Sequence, residues 1–374
     1  MDTCDVLIVG GGPAGSACAW KLRAAGLDVL VMDKAMFPRD KTCAGWITPQ
    51  AIDDLQLDTA DYRQGRTFQP IAGFHVGLIG GDDGVDVSYG HRVSFGIRRC
   101  EFDHYLLQRS EARLLLGVPM TSMRRDGLQW IVNEAVRASI VVGAGGHFCP
   151  LARLLNGATE NAAVVSAQEV EFPLDSHEAA SIDVAGERPA LYFCPDLRGY
   201  GWCFRKQNYL NVGFGRLDAH ALPQARAEFV DFLTARHAIV VDATRRWRGH
   251  AYLLSEPACR RAVDEGVLLA GDAAGLASQA SGEGIRPAIE SGLMAASTII
   301  EADGCYTRER LEPYQARIRS RFGTSPFTRL LSRTVPGGVR AALAVRLLGS
   351  PWFVRHMVLN RWFLHADQPA LAPS

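Results

Sequence analysis

The run Val6-Leu7-Ile8-Val9 passes directly into Gly10-Gly11-Gly12-Pro13-Ala14-Gly15, and few folds accommodate such a junction. Gly10, Gly12 and Gly15 fall at the G-x-G-x-x-G spacing. The first glycine permits a tight turn, the second lets backbone approach a pyrophosphate, and the third brings helix and strand close together. A helix is predicted from Ser16 to Ala25, closed by Gly26, and its free N–H groups and dipole face the same point. A second apolar run, Val29 to Met32, ends in Asp33 and Lys34, about 20 residues further on, where an acid holds ribose hydroxyls. Strand, glycine turn, helix and acid in that order predict a dinucleotide site in a βαβ unit, with Pro13 and Ala14 in its turn.

The 374 residues suffice for one large or two medium domains. Formal net charge is zero, so nothing in the total points to nucleic acid. The distribution is uneven: between Pro313 and Ala366 there is no Asp or Glu, while arginines recur from Arg317 to Arg361. Nine scattered cysteines form no C-x-x-C pair, so neither a zinc knuckle nor a thioredoxin-type site is supported, no metal is expected, and the set fits a reducing compartment. Met1-Asp2-Thr3 lacks a basic leader, and no uncharged apolar run reaches the ~18–20 residues of a spanning helix. The expectation is a cytoplasmic protein.

Further along, Phe37 to Trp46 reads as a loop and Thr48 to Leu55 as a helix. Alternation from Gly73 to Arg98 predicts a hairpin or meander around Gly80-Gly81-Asp82-Asp83-Gly84. Phe102 to Leu116 has helical spacing; Val118–Met123 and Ile131–Val136 read as short strands. Ala138 to Val142 runs into Gly143, and Val267 to Ala270 into Gly271, so the chain returns twice to its first sheet. Between these returns lie strands at Val164–Phe172, Leu191–Phe193, Tyr200–Phe204 and Leu210–Phe214, a helix at Gln224–Ala235, and a short apolar stretch at Ile239–Val241. A long helix follows Gly284 to Ala302. The class is α/β (α+β), with a Rossmann-like βαβ domain interleaved with a β-rich one. The expected division is 1–72, 98–161 and 255–312 for the first, 73–97 and 162–254 for the second, and 313–374 for a helical C-terminal tail.

Set side by side, these segments resemble the geranylgeranyl reductase family of FAD-dependent oxidoreductases, within the group that includes p-hydroxybenzoate hydroxylase. Phe37-Pro38-Arg39-x-Lys41-x-Cys43-Ala44-Gly45 is similar to that family's F-P-R-x-K-x-C-G-G, and Arg99 to Asp103 to its R-x-x-F-D. Gly271-Asp272-Ala273-Ala274-Gly275, followed by Gly282-Glu283-Gly284-Ile285, resembles its second FAD motif, and Tyr200-Gly201-Trp202-Cys203-Phe204 its Y-x-W-x-F-P segment. The resemblance implies bound FAD, with Arg39 among its contacts, Arg99 near its ribityl–phosphate portion unless it only forms a surface salt bridge with Asp103, Asp272 on a ribityl hydroxyl, and the helix after Gly284 facing the flavin. It places Cys43, with Ala44 and Gly45, over the isoalloxazine, where Lys41 and Arg39 can favour a thiolate. Tyr200 and Trp202 then line the substrate side, unless they are ordinary core aromatics.

Departures are also visible. The family's G-A-D-G is here Gly143-Ala144-Gly145-Gly146, which weakens a monooxygenase reading; Cys149 stands for a serine, and Arg205 and Gln279 for prolines. The loop after Cys43 is not that of the flavin-dependent halogenases. The reading that follows is hydride transfer from reduced flavin to a C=C bond of a hydrophobic or isoprenoid substrate, with electrons from NAD(P)H or ferredoxin. His147 is either a candidate acid or a structural residue. The rivals are an FAD monooxygenase on an aromatic or polyketide substrate and a non-catalytic flavin- or lipid-binding protein. The tail, helical at Val339–Leu348 and Trp352–Phe363, is either a basic amphipathic membrane contact, a cap on the substrate domain or a subunit contact.

Overall fold

The structure is a computed structural model and describes residues 1–81, 84–157, 164–242, 244–253, 260–278, 281–323 and 345–371. In chain order its elements are β1 (Asp2–Val9), α1 (Pro13–Ala24), β2 (Val29–Asp33), β3 (Trp46–Ile47), α2 (Pro49–Asp54), α3 (Thr59–Tyr62), β4 (Phe68–Ile71), β5 (Gly73–Leu78), β6 (Gly84–Ser88) and β7 (Ser94–Ile97). There follow α4 (Arg99–Arg109), β8 (Arg113–Leu116), β9 (Met123–Asp126), β10 (Gln129–Val132), β11 (Val136–Gly143), α5 (Pro150–Asn156), β12 (Val164–Pro173) and α6 (Ser176–Ser181). The remainder comprises β13 (Ala190–Phe193), β14 (Gly199–Lys206), β15 (Tyr209–Arg216), α7 (Leu222–His237), β16 (Arg248–Leu253), β17 (Val263–Asp264), β18 (Val267–Leu269), α8 (Ile285–Ala302) and α9 (Arg308–Phe322). A single turn, Pro351–Phe353, leads into a π-type tail helix, Val354–Phe363.

Two large sheets and a small one form among the described residues. The first has the order β17-β18-β11-β1-β2-β8, with β10 on β11 and β9 on β10. Its centre is parallel: Val6 to Val9 pair with Ile140 to Gly143 on one side and with Val29 to Met32 on the other. A parallel centre needs both faces covered, which is why these strands read as continuous apolar runs. Helix α1 packs on α8 across that face, with Cys18, Ala19 and Leu22 buried beside Ala295, Ala296 and Ile299. The second sheet, β16-β12-β15-β14-β13-β5-β6, is antiparallel except at β13–β5. The third is β3-β7-β4.

Local expectations are corrected or narrowed at five places. The predicted helix Phe102–Leu116 begins at Arg99 and ends at Arg109; Glu111 takes a positive φ of 52°, and Arg113–Leu116 becomes β8, parallel to β2. Leu115 and its neighbours fit either period, so the free edge of the sheet decides. The predicted strand Val118–Met123 is loop up to Met123, since Pro119 has no N–H for a ladder. The strand expected at Ile131–Val136 is split by a turn at Asn133 and Glu134, both at positive φ. In the Gly73–Arg98 stretch only β5 and β6 form a hairpin; β7 turns away to pair with β3 and β4. Ile239–Val241 lies in no strand.

The tail helix covers the second sheet. Val354, Val358, Leu359 and Phe363 are buried in one cluster with Phe74, Phe193, Trp202 and Phe204. The cap, one of the three readings of the tail, is therefore realised, with Trp352 left outside at 65% exposure. Most of the predicted helix Val339–Leu348, Asp82, Asp83 and Gln279 lie outside the described residues. No helix of the described residues is long and apolar enough to cross a membrane.

Candidate active site

A cavity of about 630 Å³ runs between the two large sheets, from Gly10, Gly12 and Asp33 at one end to Tyr200, Trp202 and Phe363 at the other. At the first end the wall is backbone. Gly10 has φ +116°, and a Cβ there would overlap the Ala144 carbonyl. Gly15 stands behind the wall, where a Cβ would overlap the Gly10 carbonyl oxygen; its role is to let α1 pack on β1. A Cβ on Gly12 would meet only Arg39 Nη2, at 3.4 Å, and otherwise project into open space. Asp33 is buried; it accepts hydrogen bonds from Gly11 N and Ala35 N, both at 2.8 Å, so it fixes the turn as well as facing the cavity. Pro13, Ala14, Lys34 and Arg39 line the same end. Only a group without side-chain bulk behind it leaves such a cradle, and a dinucleotide pyrophosphate fits it.

In the middle, Arg99 at the start of α4 is buried and grips Asp103 through Nε and Nη2 at 2.8 and 2.9 Å. Arg39 Nη2 reaches the same carboxylate at 3.3 Å. The ion pair therefore forms, but buried and not at the surface, and Arg99 still lines the cavity within electrostatic reach of Cys43. Across from it, burial disfavours charge on Asp272, yet His250, Lys41 and Arg99 outweigh burial and hold its carboxyl below the usual range. Gly271 takes φ +61° and donates its N–H to Ser291 Oγ at 2.9 Å. Gly282, Gly284 and Ile285 line the wall where α8 opens. Burial pushes the Glu283 carboxyl up to about 7; its Oε2 has no hydrogen-bond partner, and His365 lies 3.8 Å away.

At the far end the wall is aromatic. Phe363 stacks on Trp46 with centroids 5.6 Å apart and meets Tyr200 edge-on at 5.6 Å. Tyr200 donates its hydroxyl to the Ser281 carbonyl, and Trp202 Nε1 donates to Asn211 Oδ1 at 2.7 Å. Asn211 is the hub beneath the Cys43 loop: its Nδ2 donates to Glu169 Oε2 at 2.9 Å and to the Cys43 carbonyl at 3.3 Å. Cys43 and Ala44 line the cavity, whereas Gly45 turns behind them at φ +65°, where a Cβ would strike the Ile97 carbonyl. Burial pushes the Glu169 carboxyl up to about 7 against the pull of Asn211, the Cys43 backbone and Lys206.

The fold thus brings the predicted residues to one cavity, with Gly15 and Gly45 supporting its wall from behind. His147 lines it too, its imidazole lowered first by burial and then by the charge of His250. Sequence reasoning missed Trp46, Asn211, Glu169, His250 and Phe363. A polar residue at alternate positions of a strand, as at Glu169, was the only signal, and it matches a solvated face equally well.

Comparison with known proteins agrees with this layout. Residues 8–61 match the model of the NAD(P)-binding Rossmann-like domain. The menaquinone reductase of Mycobacterium tuberculosis is 30% identical over 328 residues, covering 81% of this chain and 78% of that protein. The geranylgeranyl diphosphate reductase of Rhodobacter capsulatus is 28% identical, covering 78% and 74%. A solved geranylgeranyl bacteriochlorophyll reductase-like protein from Thermoplasma acidophilum superposes with a TM-score of 0.72 at 20% identity, over 96% of this chain and 99% of that one, which speaks to the fold. With a dinucleotide cradle, these motifs and a relative alike over most of both lengths, the chain belongs to the geranylgeranyl reductase family of FAD-dependent oxidoreductases.

Proposed function

We propose that this protein reduces carbon–carbon double bonds of an isoprenoid or similarly hydrophobic substrate, with FAD along the main cavity and NAD(P)H or ferredoxin as electron donor. The observation that carries the reading is the continuity, in one cavity, of a backbone cradle for a dinucleotide with an aromatic chamber for an apolar chain. The chemistry the flavin supplies when bound is hydride delivery to an alkene carbon. Gly10, Gly12, Pro13 and Ala14 take the pyrophosphate, Asp33 and Lys34 the ribose end, Arg39, Arg99 and Asp272 the middle, and Gly282, Gly284 and Ile285 the ring. Tyr200 and Trp202, with Trp46 and Phe363, hold the substrate and exclude water. Cys43 is the catalytic candidate: it lines the cavity where cradle and chamber meet, beside Arg99.

In this reading residues 1–72, 98–161 and 255–312 carry the cofactor, 73–97 and 162–254 the substrate, and 313–374 the closure of the chamber. The exposed Trp352 and the arginines of the tail support a peripheral contact with an anionic membrane surface from the cytoplasmic side, where lipid substrates lie. Sedimentation with anionic but not neutral liposomes is the expected result there.

The reaction is tested with FAD-loaded protein, chemically reduced without oxygen and offered geranylgeranyl diphosphate, a geranylgeranylated glycerophospholipid and menaquinone. A product that has gained hydrogen at a double bond supports the reading. Incorporation of isotopically heavy oxygen in an aerobic run, or no reduced product from any of the three, overturns it.

A further inference from the structure

A second cavity of about 350 Å³ adjoins the first, the two sharing Asp40, Lys41, Cys43 and Arg99 in their walls. Its wall is built from charge: Lys41, Arg98, Arg99, Arg245, Arg246 and Arg248 face Asp40, Glu169 and Glu171. The flavoprotein reading gives no work to Arg245, Arg246 or Arg248. Half of these cations are already matched. Arg98 pairs with Glu101 and Glu171 at 2.9 and 3.1 Å, Arg99 with Asp103, and Arg248 with Asp40. Glu171 is matched again by Lys206, at 2.9 Å.

Lys41, Arg245 and Arg246 have no carboxylate at ion-pair distance among the described residues. Arg245 lies over the Phe172 ring, 4.0 Å from its centroid, which fixes the guanidinium, and its Nε has no hydrogen-bond partner. Burial, then Arg99 and Arg39, push the Lys41 ammonium down to about 8 against the pull of Asp272. Cations that converge on a partly enclosed space raise the local potential and draw in a ligand of opposite sign. Guanidinium forks match phosphate oxygens two at a time, and a lysine adds a point charge. Three unmatched cations suit a diphosphate group, which carries about three negative charges as a monoester and about two as a diester when fully ionised.

We infer that the second cavity is a diphosphate subsite, in which Lys41, Arg245 and Arg246 hold the group while the rest of the molecule passes Cys43 into the main cavity. Two molecules carry that group: an isoprenoid diphosphate substrate and a nicotinamide dinucleotide donor. The choice between them rests on the function proposed above, whereas the presence of the subsite does not. It deepens that function by separating a phosphate-headed substrate from a quinone, whose head is uncharged.

Calorimetric titration of the FAD-loaded protein with inorganic pyrophosphate tests the subsite without turnover. The wild type binds, and Arg245→Gln/Arg246→Gln binds at least about tenfold more weakly with its flavin content unchanged. Should the double variant not fold, Arg246→Gln alone, at an exposed side chain, gives the same comparison with a smaller loss. Kinetics then separate the sources. A lower ratio of kcat/KM for geranylgeranyl diphosphate over geranylgeraniol assigns the subsite to the substrate; a raised KM for NADPH with that ratio unchanged assigns it to the donor. A wild type that takes up no pyrophosphate, or a variant that binds it equally well, overturns the inference even if the protein reduces isoprenoids. Pyrophosphate uptake without any isoprenoid reduction leaves the subsite standing and removes only the function.

Discussion

The two ends of the main cavity are built in opposite ways. The cradle is backbone from one contiguous stretch, Val9 to Ala14, with Asp33 as its brace. The chamber is side chains gathered from distant parts of the chain. Cys43 rests on Asn211, 168 residues away, and Trp46 stacks on Phe363 near the C-terminus. A site made from backbone demands particular residue types at fixed spacing, because only glycine fits where a Cβ would collide. One made from side chains demands only that some aromatic or amide arrive, and many sequences satisfy that. The first kind is stiff and shared within a family; the second is where substrate choice can change at little cost to the fold.

Gly15 and Gly12 break this comparison most severely. Gly15→Val forces α1 away from the Gly10 carbonyl and is expected to cost more than about 4 kcal/mol, leaving little folded protein. Gly12→Val projects into the cavity, so the melting temperature holds while oxidised-flavin absorbance is lost from the purified protein. A Gly12 variant that retains flavin would show that the cradle tolerates bulk and that the glycine spacing serves packing alone.

Phe363→Ala comes next. The ring is buried against Trp46, Phe193 and Tyr200, and its removal is expected to cost about 3 kcal/mol by thermal unfolding. If the tail closes the chamber, KM for a long isoprenoid rises more than kcat falls. A change confined to kcat would place the tail outside substrate contact. Asn211→Ala removes the partner of Trp202 and the support of Cys43, and leaves Glu169 Oε2 buried without its donor. About 2 kcal/mol of stability is the expected loss, with kcat reduced through the displaced loop. Unchanged kcat at that loss of stability would mean that the position of Cys43 does not matter to the reaction.

The same division explains what could be read from the chain alone. Strands β1, β2, β11 and β18 were visible because a buried parallel sheet writes unbroken apolar runs, and the glycine junctions marked where each one ends. Gly271-Asp272 and Gly282 to Ile285 announced themselves for the same reason as Gly10 to Gly15. The strand after α4 was hidden, since Leu114 to Leu116 suits a helix as well as a sheet edge, and only the exposed side of β2 selects the strand. Phe363 was hidden more deeply. The arginines around it suggested a membrane face, yet the apolar residues between them were spoken for by the second sheet, and no local pattern reports a partner hundreds of residues away. Asn211 and Glu169 fall inside predicted strands with no signal of their own that marks a site; burial makes them a hub, and burial is a property of the whole fold.

Glu169 offers the smallest effect and the finest discrimination. Burial pushes its carboxyl up to about 7 from an ordinary 4.5, although Asn211, the Cys43 backbone and Lys206 favour the ion. The folded protein thus binds the proton more tightly than the unfolded chain does. The stabilisation is fully present below the unfolded value and is lost as pH rises through about 7. Glu169→Gln keeps a neutral group of the same shape at every pH. Its melting temperature should match the wild type near the ordinary carboxyl value and exceed it above neutrality. The full shift would be worth about 3 kcal/mol, and about 1 kcal/mol is expected, because the amide offers one accepting oxygen where the carboxylate offers two. A wild type that is the more stable partner at alkaline pH would mean that the carboxylate stays charged, gripped by Asn211 and Lys206. The Cys43 loop would then rest on an ion pair network and not on a neutral acid, and the chamber would be as firmly specified as the cradle.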